Sequence, residues 1–164
     1  MKAPAFDYVS VGSVSEAIAM RAAHGEDAIY LAGGHSVVPS LTLRLQAPSI
    51  LIDISKIAEL SVEVLKHPLI AKHAPLLATA APYVAHPAIR NRGTIGGSVA
   101  LADPASEFPA MMLAIRAELE VVGPEGVRRI AADDFFQDLY ETAMVPGEIL
   151  RSILVPPLEE GTVF

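Results

Sequence analysis

The chain has 164 residues, of which 52% are hydrophobic and 19% are charged, so it can bury a core and does not have the composition of a disordered protein. Its formal net charge of −7 and its lack of a basic stripe argue against a nucleic-acid partner. It contains no cysteine, which excludes disulfides and any thiolate-bound iron–sulfur cluster on this chain. We expect a cytoplasmic protein that holds any anionic ligand by local geometry rather than by a positive field.

The first third of the chain predicts a small β-α-β-α-β lobe. The expected elements are a strand at 6–9, a helix ending before residue 25, a strand at 28–31, a short helix at 37–45 and a strand at 49–53. Ser13 is a good N-cap for the first helix, and Glu16 completes a capping box with it. Gly25 stands where a left-handed residue would end that helix.

The rest of the chain predicts a second α+β lobe. The expected elements are a helix at 69–80 with Pro68 in its first turn, a helix at 104–116, a hairpin with strands 119–122 and 127–131, and a strand at 148–155. We therefore divide the chain into lobes 1–60 and 61–164. The N-terminus has no apolar segment of the signal-peptide kind. The longest uncharged stretch, 74–89, is too short and too rich in proline to cross a bilayer.

Two glycine pairs are the most informative local features. Gly33-Gly34 follows a predicted strand directly, and Gly96-Gly97 follows a basic loop. A glycine pair permits positive φ and removes the Cβ, so that successive N–H groups can converge on an anion. Each pair alone is equally typical of an ordinary turn. Neither fits the dinucleotide fingerprint of a Rossmann site or a P-loop.

Other polar residues leave their roles open. Arg90 and Arg92 precede the second pair and could contact phosphate, although basic loop residues more often face solvent or a carboxylate. His35 could lie beside a bound ligand or bind a metal, although no second histidine stands at metal-ligand spacing. Asp133 and Asp134 more plausibly cap a turn or helix than form a catalytic pair. We identify no acid, base or nucleophile in the sequence.

Four segments together carry a more specific pattern than either glycine pair. They are residues 30–39, 86–98, 102–109 and 146–150. In order and in flanking residues they resemble the FAD-binding medium subunits of molybdenum hydroxylases, the carbon monoxide dehydrogenase and xanthine dehydrogenase family. The resemblance extends over nearly the whole chain. It implies an α+β fold, namely the two-lobed FAD-binding domain of the vanillyl-alcohol oxidase (PCMH) type.

The resemblance also implies FAD as the cofactor and a set of residues that would bind it. These are Leu31, Ala32, Gly33, Gly34, His35, Ser36, Val37, Val84, Thr94, Ile95, Gly96, Gly97, Ser98, Glu107 and Leu150. The two glycine segments would hold the pyrophosphate from opposite lobes. Val84 would lie against the cofactor, Glu107 would hydrogen-bond it, and Leu150 would pack near the flavin or adenine. No catalytic and no metal-binding residue is expected.

The function implied is that of an electron-transfer oxidoreductase subunit, active only within a complex. An iron–sulfur small subunit would reduce FAD, and substrate would be oxidised on a molybdenum-containing large subunit. One alternative is a truncated assembly module that is not catalytic and binds FAD weakly or not at all. Another, weaker alternative is a stand-alone oxidase, which would need a substrate base over the flavin.

This sequence departs from the family pattern in three respects. About two strands that the family carries are missing between Leu60 and Ser61. The chain ends at Phe164, so the C-terminal domain usual in the family is expected to be lacking. Ile29 stands where many relatives have Lys or Arg, and Glu107 stands where they have Asp.

Overall fold

The structure, a computed structural model, describes residues 2–60 and 67–157. Its helices are α1 Val14–His24, α2 Val37–Thr42, α3 Pro68–His73, α4 Pro75–Ala80, α5 Pro87–Arg90, α6 Ile95–Leu101, α7 Glu107–Ala114 and α8 Ala132–Phe135. Its strands are β1 Asp7–Ser10, β2 Ala28–Leu31, β3 Ile50–Asp53, β4 Glu118–Gly123, β5 Gly126–Ala131, β6 Phe136–Asp138, β7 Glu141–Thr142 and β8 Ile149–Leu154. The shortened junction expected after Leu60 borders residues 61–66, which lie outside the described residues.

The first sheet is parallel and has the strand order β1-β3-β2. Helix α1 connects β1 to β2, and α2 lies between β2 and β3, as parallel strands require a crossover. All four residues of β3 are buried. Such a buried run is typical of a central parallel strand. The three strands predicted for this part of the chain are all present, so those predictions are confirmed.

The capping box predicted for α1 is half correct. The Ser13 hydroxyl accepts a hydrogen bond from the Glu16 amide at 3.2 Å, as expected of an N-cap. The Glu16 carboxylate instead accepts from the amide of Gly12 at 2.9 Å, one residue before the cap. Gly25 ends the helix with a φ of 59°, which confirms the need for glycine there.

The second sheet is antiparallel and has the strand order β5-β4-β8. Gly123 pairs with Gly126 at the tip of the β4–β5 hairpin, where a turn was predicted. Leu119 and Val121 alternate with polar residues along β4 and are fully buried. Strands β6 and β7 form a small ribbon beside this sheet.

The prediction of a single helix over residues 69–80 is wrong. Pro75 divides this stretch into α3 and α4, and Ala74 between them has φ −136° and ψ 58°. Proline has no N–H to continue the first helix and disfavours the helical conformation of the residue before it. Helix α7 is also shorter than predicted, and α6 forms where only a glycine loop was expected.

Two groups of buried side chains support the two sheets. The larger group packs under the antiparallel sheet and includes the fully buried Phe135 and Met112. The smaller group packs under the parallel sheet, and it includes Ile149 from β8. The Tyr30 hydroxyl also donates to the carbonyl oxygen of Gly147 at 3.1 Å. The two sheets are therefore joined through the start of β8.

No helix in the described ranges, 2–60 and 67–157, is long and apolar enough to cross a membrane.

Candidate functional site

The first glycine segment begins at the carboxyl end of β2, beside the central strand of the parallel sheet. Leu31 pairs with Asp53 in the sheet register, and the Ile54 amide donates to the Leu31 carbonyl oxygen at 2.9 Å. Gly34 then adopts a φ of +76°, which L-residues with side chains rarely adopt. A parallel sheet commonly binds ligands at this end of its strands.

Ligand-accessible polar groups follow this turn. His35 and Ser36 are exposed, and Val37 begins α2 and is half-buried. A Cβ on Gly34 would lie 3.4 Å from side-chain atoms of Leu31 and Val38, so these two residues brace the turn from the protein side.

The second glycine segment forms the first turn of α6. Thr94 is the N-cap, and its hydroxyl accepts from the Gly97 amide at 3.1 Å. A Cβ on Gly97 would lie only 2.7 Å from that hydroxyl oxygen, so a side chain there would displace the cap. The sequence indicated two anion-binding loops, but this one is a helix start.

The two glycine segments are in direct contact. A Cβ on Gly33 would lie 2.2 Å from the carbonyl oxygen of Arg92 and 3.0 Å from the Cα of Gly93. A Cβ on Gly97 would lie 3.8 Å from the Cβ of Ala32. Backbone therefore meets backbone at Gly33, and only glycine fits there without movement of one segment. The structure thus brings together the two pairs that the sequence singled out.

Gly96 differs from its neighbours because no contact with another described residue requires glycine at this position. A Cβ on this residue would meet no heavy atom within 4 Å, and its φ is not in the left-handed region. In a helix, glycine is less stable than alanine by about 0.5–1 kcal/mol. The open space beside Gly96 is therefore a place where a ligand can approach the backbone closely.

Helices α6 and α7 contact each other through two serine hydroxyls. The hydroxyls of Ser98 in α6 and Ser106 at the N-cap of α7 are 2.5 Å apart. Glu107 is the first residue of α7 and is exposed. The predicted polar partner of the cofactor therefore begins the helix whose N-cap contacts the second glycine segment.

Three apolar residues of the predicted set, Val84, Ile95 and Leu150, are half-buried. All three pack against the larger buried group under the antiparallel sheet. Ile95 opens α6 and so belongs to the second glycine segment itself. Val84 and Leu150 lie on the core that supports that segment, and each keeps an exposed part.

Arg90 has a role that the sequence did not reveal. Its guanidinium Nη1 donates to the carbonyl oxygens of Val84 at 2.9 Å and Ala85 at 2.7 Å. Ala85 has a φ of 46°, which is uncommon for a residue with a side chain. Arg90 therefore holds a strained turn next to Val84. Arg92 is exposed and contributes its carbonyl to the contact with Gly33.

A buried carboxylate lies beside the first glycine segment. Asp53 accepts hydrogen bonds from the Tyr8 hydroxyl and from the Ser55 amide, the latter at 2.8 Å. Burial opposes ionisation of this carboxyl, but the hydrogen bonds from Ser55 and Tyr8 outweigh it, so the pKa of Asp53 lies below its usual value. Asp53 therefore carries its negative charge at this end of the sheet and does not attract an anion there.

The strongest ion pairs lie on the antiparallel sheet, away from the glycine segments. Glu120 accepts from Arg151 at 2.5 Å and from Arg129 at 3.1 Å. Hydrogen bonds from Arg151 and then Arg129 lower the pKa of Glu120. Arg128 and Glu148 form a second pair at 2.7 Å. These carboxylates are paired for structure and are not free to act as acids or bases.

The remaining candidates from the sequence fall outside the site. Asp133 and Asp134 are exposed in the first turn of α8, but its N-cap is Ala131 and no side chain makes a capping hydrogen bond there, so the predicted capping role is wrong. Within residues 2–60 and 67–157, no three His, Cys, Asp or Glu side chains are grouped so as to hold a metal ion.

Comparison with known proteins identifies relatives of the whole described fold. The family model described as the FAD binding domain in molybdopterin dehydrogenase matches residues 4–64 and 61–158. The carbon monoxide dehydrogenase medium chain of Hydrogenophaga pseudoflava is 39% identical over 97% of this chain and 61% of its own length. A solved structure of carbon monoxide dehydrogenase from the same organism superposes with a TM-score of 0.92 at 39% identity, covering 98% of this chain and 62% of that one.

A second solved relative is quinoline 2-oxidoreductase from Pseudomonas putida 86. It has a TM-score of 0.91 at 36% identity and covers 96% of this chain and 61% of that one. The chain thus spans about three fifths of the length of the relatives it matches.

The comparisons also bear on the shortened junction. The alignment with the Hydrogenophaga medium chain runs over 176 positions, more than the 164 residues of this chain, so that relative carries residues that are absent here. The two matched segments of the family model meet at residues 61–64, where the missing strands were expected. Because the family model matches most of the length of this chain, the chain belongs to the family of FAD-binding domains of molybdopterin dehydrogenases.

Proposed function

We propose that this chain binds FAD where its two glycine segments meet, as the flavin domain of the medium subunit of a molybdenum hydroxylase. The observation that carries the proposal is the backbone contact between Gly33 and Arg92, beside the open face of Gly96. The first segment follows β2 of the parallel sheet and the second opens α6, so residues of the two proposed lobes meet there. This arrangement supports the two-lobed PCMH type of FAD-binding domain, with lobes 1–60 and 61–164.

In this proposal the diphosphate lies between the two segments. Residues 32–37 hold it from the carboxyl end of β2, and residues 94–98 hold it from the start of α6. Amides rather than side-chain charges neutralise it, because the chain has a net charge of −7 and Arg90 is occupied by two carbonyl groups. Glu107 hydrogen-bonds the cofactor, whereas Val84, Leu150 and the braced Leu31 provide apolar contact.

The redox chemistry belongs to the flavin, which when bound can take up and release electrons. The protein chain supplies binding and orientation. At the second sheet, the carboxylates of Glu120 and Glu148 form ion pairs with arginine side chains. These ion pairs support the expectation that the chain provides no acid or base.

We further propose that the chain works in a complex with an iron–sulfur small subunit and a molybdenum-containing large subunit. A chain without cysteine cannot hold a thiolate-bound cluster, so the cluster must lie on a partner. Two solved relatives are a carbon monoxide dehydrogenase and a quinoline 2-oxidoreductase, which are named for different substrates. Their matching domains nevertheless superpose equally well on this chain. The substrate of the complex is therefore determined outside this domain.

A second candidate is an assembly module that docks its partners without binding FAD tightly. The residues missing at the junction favour it, because they are absent from an otherwise continuous match. The two candidates differ in one property, the affinity of the purified protein for FAD.

Gly96→Ala tests the proposal with little disturbance of the fold. Substitutions at Gly34 or Gly97 would also strain the backbone or displace the Thr94 cap, so loss of flavin in them would be ambiguous. A methyl group on Gly96 meets only open space, and therefore the unfolding midpoint should be unchanged or slightly raised. Binding of FAD, followed by flavin absorbance and fluorescence, should weaken at least about tenfold, since a diphosphate loses its close approach to the backbone.

Gly12→Ala is the matched control, because a Cβ there also has room and would lie 3.9 Å from the Glu16 carboxylate oxygen. This control should bind FAD like the wild type. Wild-type protein that is colourless and fails to bind added FAD would refute the flavin proposal and favour the assembly module. Equal FAD affinity in Gly96→Ala and wild type would show that the diphosphate lies elsewhere.

A further inference from the structure

Strand β8 has an outer edge that no other strand covers in the described part of the chain. The antiparallel sheet has the order β5-β4-β8, so β8 pairs with β4 and lies at the margin of the sheet. Its residues 150–154 are half-buried, as expected of a strand with a neighbour on one side only. The backbone N–H and C=O groups along such an edge can pair with another extended chain.

This edge lies where the chain is shorter than its relatives. A short 3₁₀ helix, Ala58–Leu60, lies against β8. The two matched segments of the family model meet directly after it, at residues 61–64, and the alignment with the Hydrogenophaga medium chain is longer than this chain. The point at which this chain lacks residues therefore adjoins β8.

A β-bulge determines which side chains of β8 share a face of the sheet. The register between β4 and β8 shifts after Glu120, which leaves Arg151 as an extra residue in β8. Leu150 and Ile153 both pack on the larger buried group. The Arg151 guanidinium and the Ser152 hydroxyl both donate to the Glu120 carboxylate, at 3.0 Å and 3.1 Å, so these two residues lie on the opposite face. The faces are therefore symmetric about the point between Arg151 and Ser152.

This symmetry makes the edge complementary to itself. When two copies of β8 run antiparallel and are centred on that point, Leu150 of each copy lies opposite Ile153 of the other. Arg151 of each copy then lies opposite Ser152 of the other. Residues directly opposite each other in antiparallel strands are on the same face and interact. Apolar side chains therefore meet apolar ones, and polar side chains meet polar ones.

Charge does not oppose this pairing. Arg151 is the one charged residue of β8, and its Nε and Nη2 atoms both donate to the Glu120 carboxylate of the same chain. A free cation on an edge strand hinders the addition of another strand, whereas a cation bound by a carboxylate presents little net charge to a neighbour. In the alignment above, Arg151 also faces a hydroxyl group and not a second arginine.

We propose that the outer edge of β8 pairs antiparallel with the β8 edge of a second copy of this chain. The two antiparallel sheets then form one continuous sheet of six strands, three from each copy. The interface has two-fold symmetry, because the same edge is used by both copies. This inference does not depend on the proposed flavin site.

The test is sedimentation equilibrium of the full chain over a range of concentrations. The wild-type mass should rise from 17.3 kDa towards twice that value as the concentration increases. Ser152→Lys introduces an ammonium group opposite Arg151 of the second copy, and two-fold symmetry creates this repulsion twice. The dissociation constant of the dimer should therefore rise about tenfold. The lysine can still bind Glu120 in its own chain, so the melting temperature should stay close to that of the wild type.

The double variant Arg151→Ser/Ser152→Lys separates repulsion across the interface from damage to the fold. It returns each strand to one cation that faces a hydroxyl, so dimerisation should recover towards the wild-type level. Val127→Lys is the control for the opposite edge of the sheet, because Val127 in β5 is 52% exposed, and it should dimerise like the wild type. The backbone amides of β8 should also exchange hydrogen more slowly at high protein concentration than at low concentration.

Three results would overturn the proposal. The first is a wild type that stays monomeric at its highest soluble concentration. The second is a dimer that Val127→Lys weakens and Ser152→Lys does not, because the contact would then lie on β5. The third is a double variant that dimerises no better than Ser152→Lys, because the two residues would then not face each other across the interface.

Discussion

Gly33→Ala should separate the two glycine segments and so affect stability and cofactor binding together. The added Cβ would lie 2.2 Å from the Arg92 carbonyl oxygen, whereas comfortable contacts are about 3.5 Å, so the segments must part by roughly 1 Å. The obstructing atom is backbone, which cannot rotate away as a side chain does. Overpacking of this kind costs about 1–3 kcal/mol of unfolding free energy.

Thermal and urea unfolding of the flavin-free protein measure this cost. For a domain of this size, each kcal/mol lowers the melting temperature by roughly 2–4 °C. FAD affinity should fall as well, because both sets of amides must face the same diphosphate. Gly12→Ala, with its space for a methyl group, should change neither quantity. If Gly33→Ala matches the wild type in melting temperature and in FAD affinity, then the segments do not touch and the reasoning fails.

Two further predictions concern charged side chains. Arg90→Met removes both hydrogen bonds to the turn at Val84 and should lower the unfolding free energy by about 1–3 kcal/mol in urea titrations, whereas Arg92→Met should have little effect on stability. A larger loss of FAD affinity in Arg92→Met would instead identify Arg92 as a phosphate contact. Glu120→Gln should destabilise the protein above the ordinary carboxyl pKa of 4.5. Because the folded-state pKa is lowered, this difference from wild type should disappear as the pH falls through the folded-state pKa, and a difference that persists there would exclude the ion pairs as its source.

Much of the parallel sheet could be predicted from the sequence because local signals agree there. These signals act through neighbours in the chain, and they are the apolar residues of strand Ile50–Asp53, the capping residue Ser13 and Gly25 at the end of the helix. Pro75 is equally visible in the sequence, inside the helix predicted over 69–80, and because it has no N–H to continue that helix the stretch forms two helices instead.

The site was only partly accessible to such reasoning. The sequence marked the glycine pairs, but it could not show that Gly33 contacts the backbone of Arg92 or that Gly96 has no protein neighbour. The side chain of Arg90 has several possible partners in any loop, and only the folded chain decides among them.

Burial of Ile149 among the side chains of the parallel sheet has a consequence for biosynthesis. Nearly a hundred residues separate β3 from β8, so a nascent chain that has just emerged with its first three strands still lacks the Ile149 side chain of its core. We expect the packing of that early segment to be completed only after β8 has been synthesised. A contact so distant in sequence also slows folding.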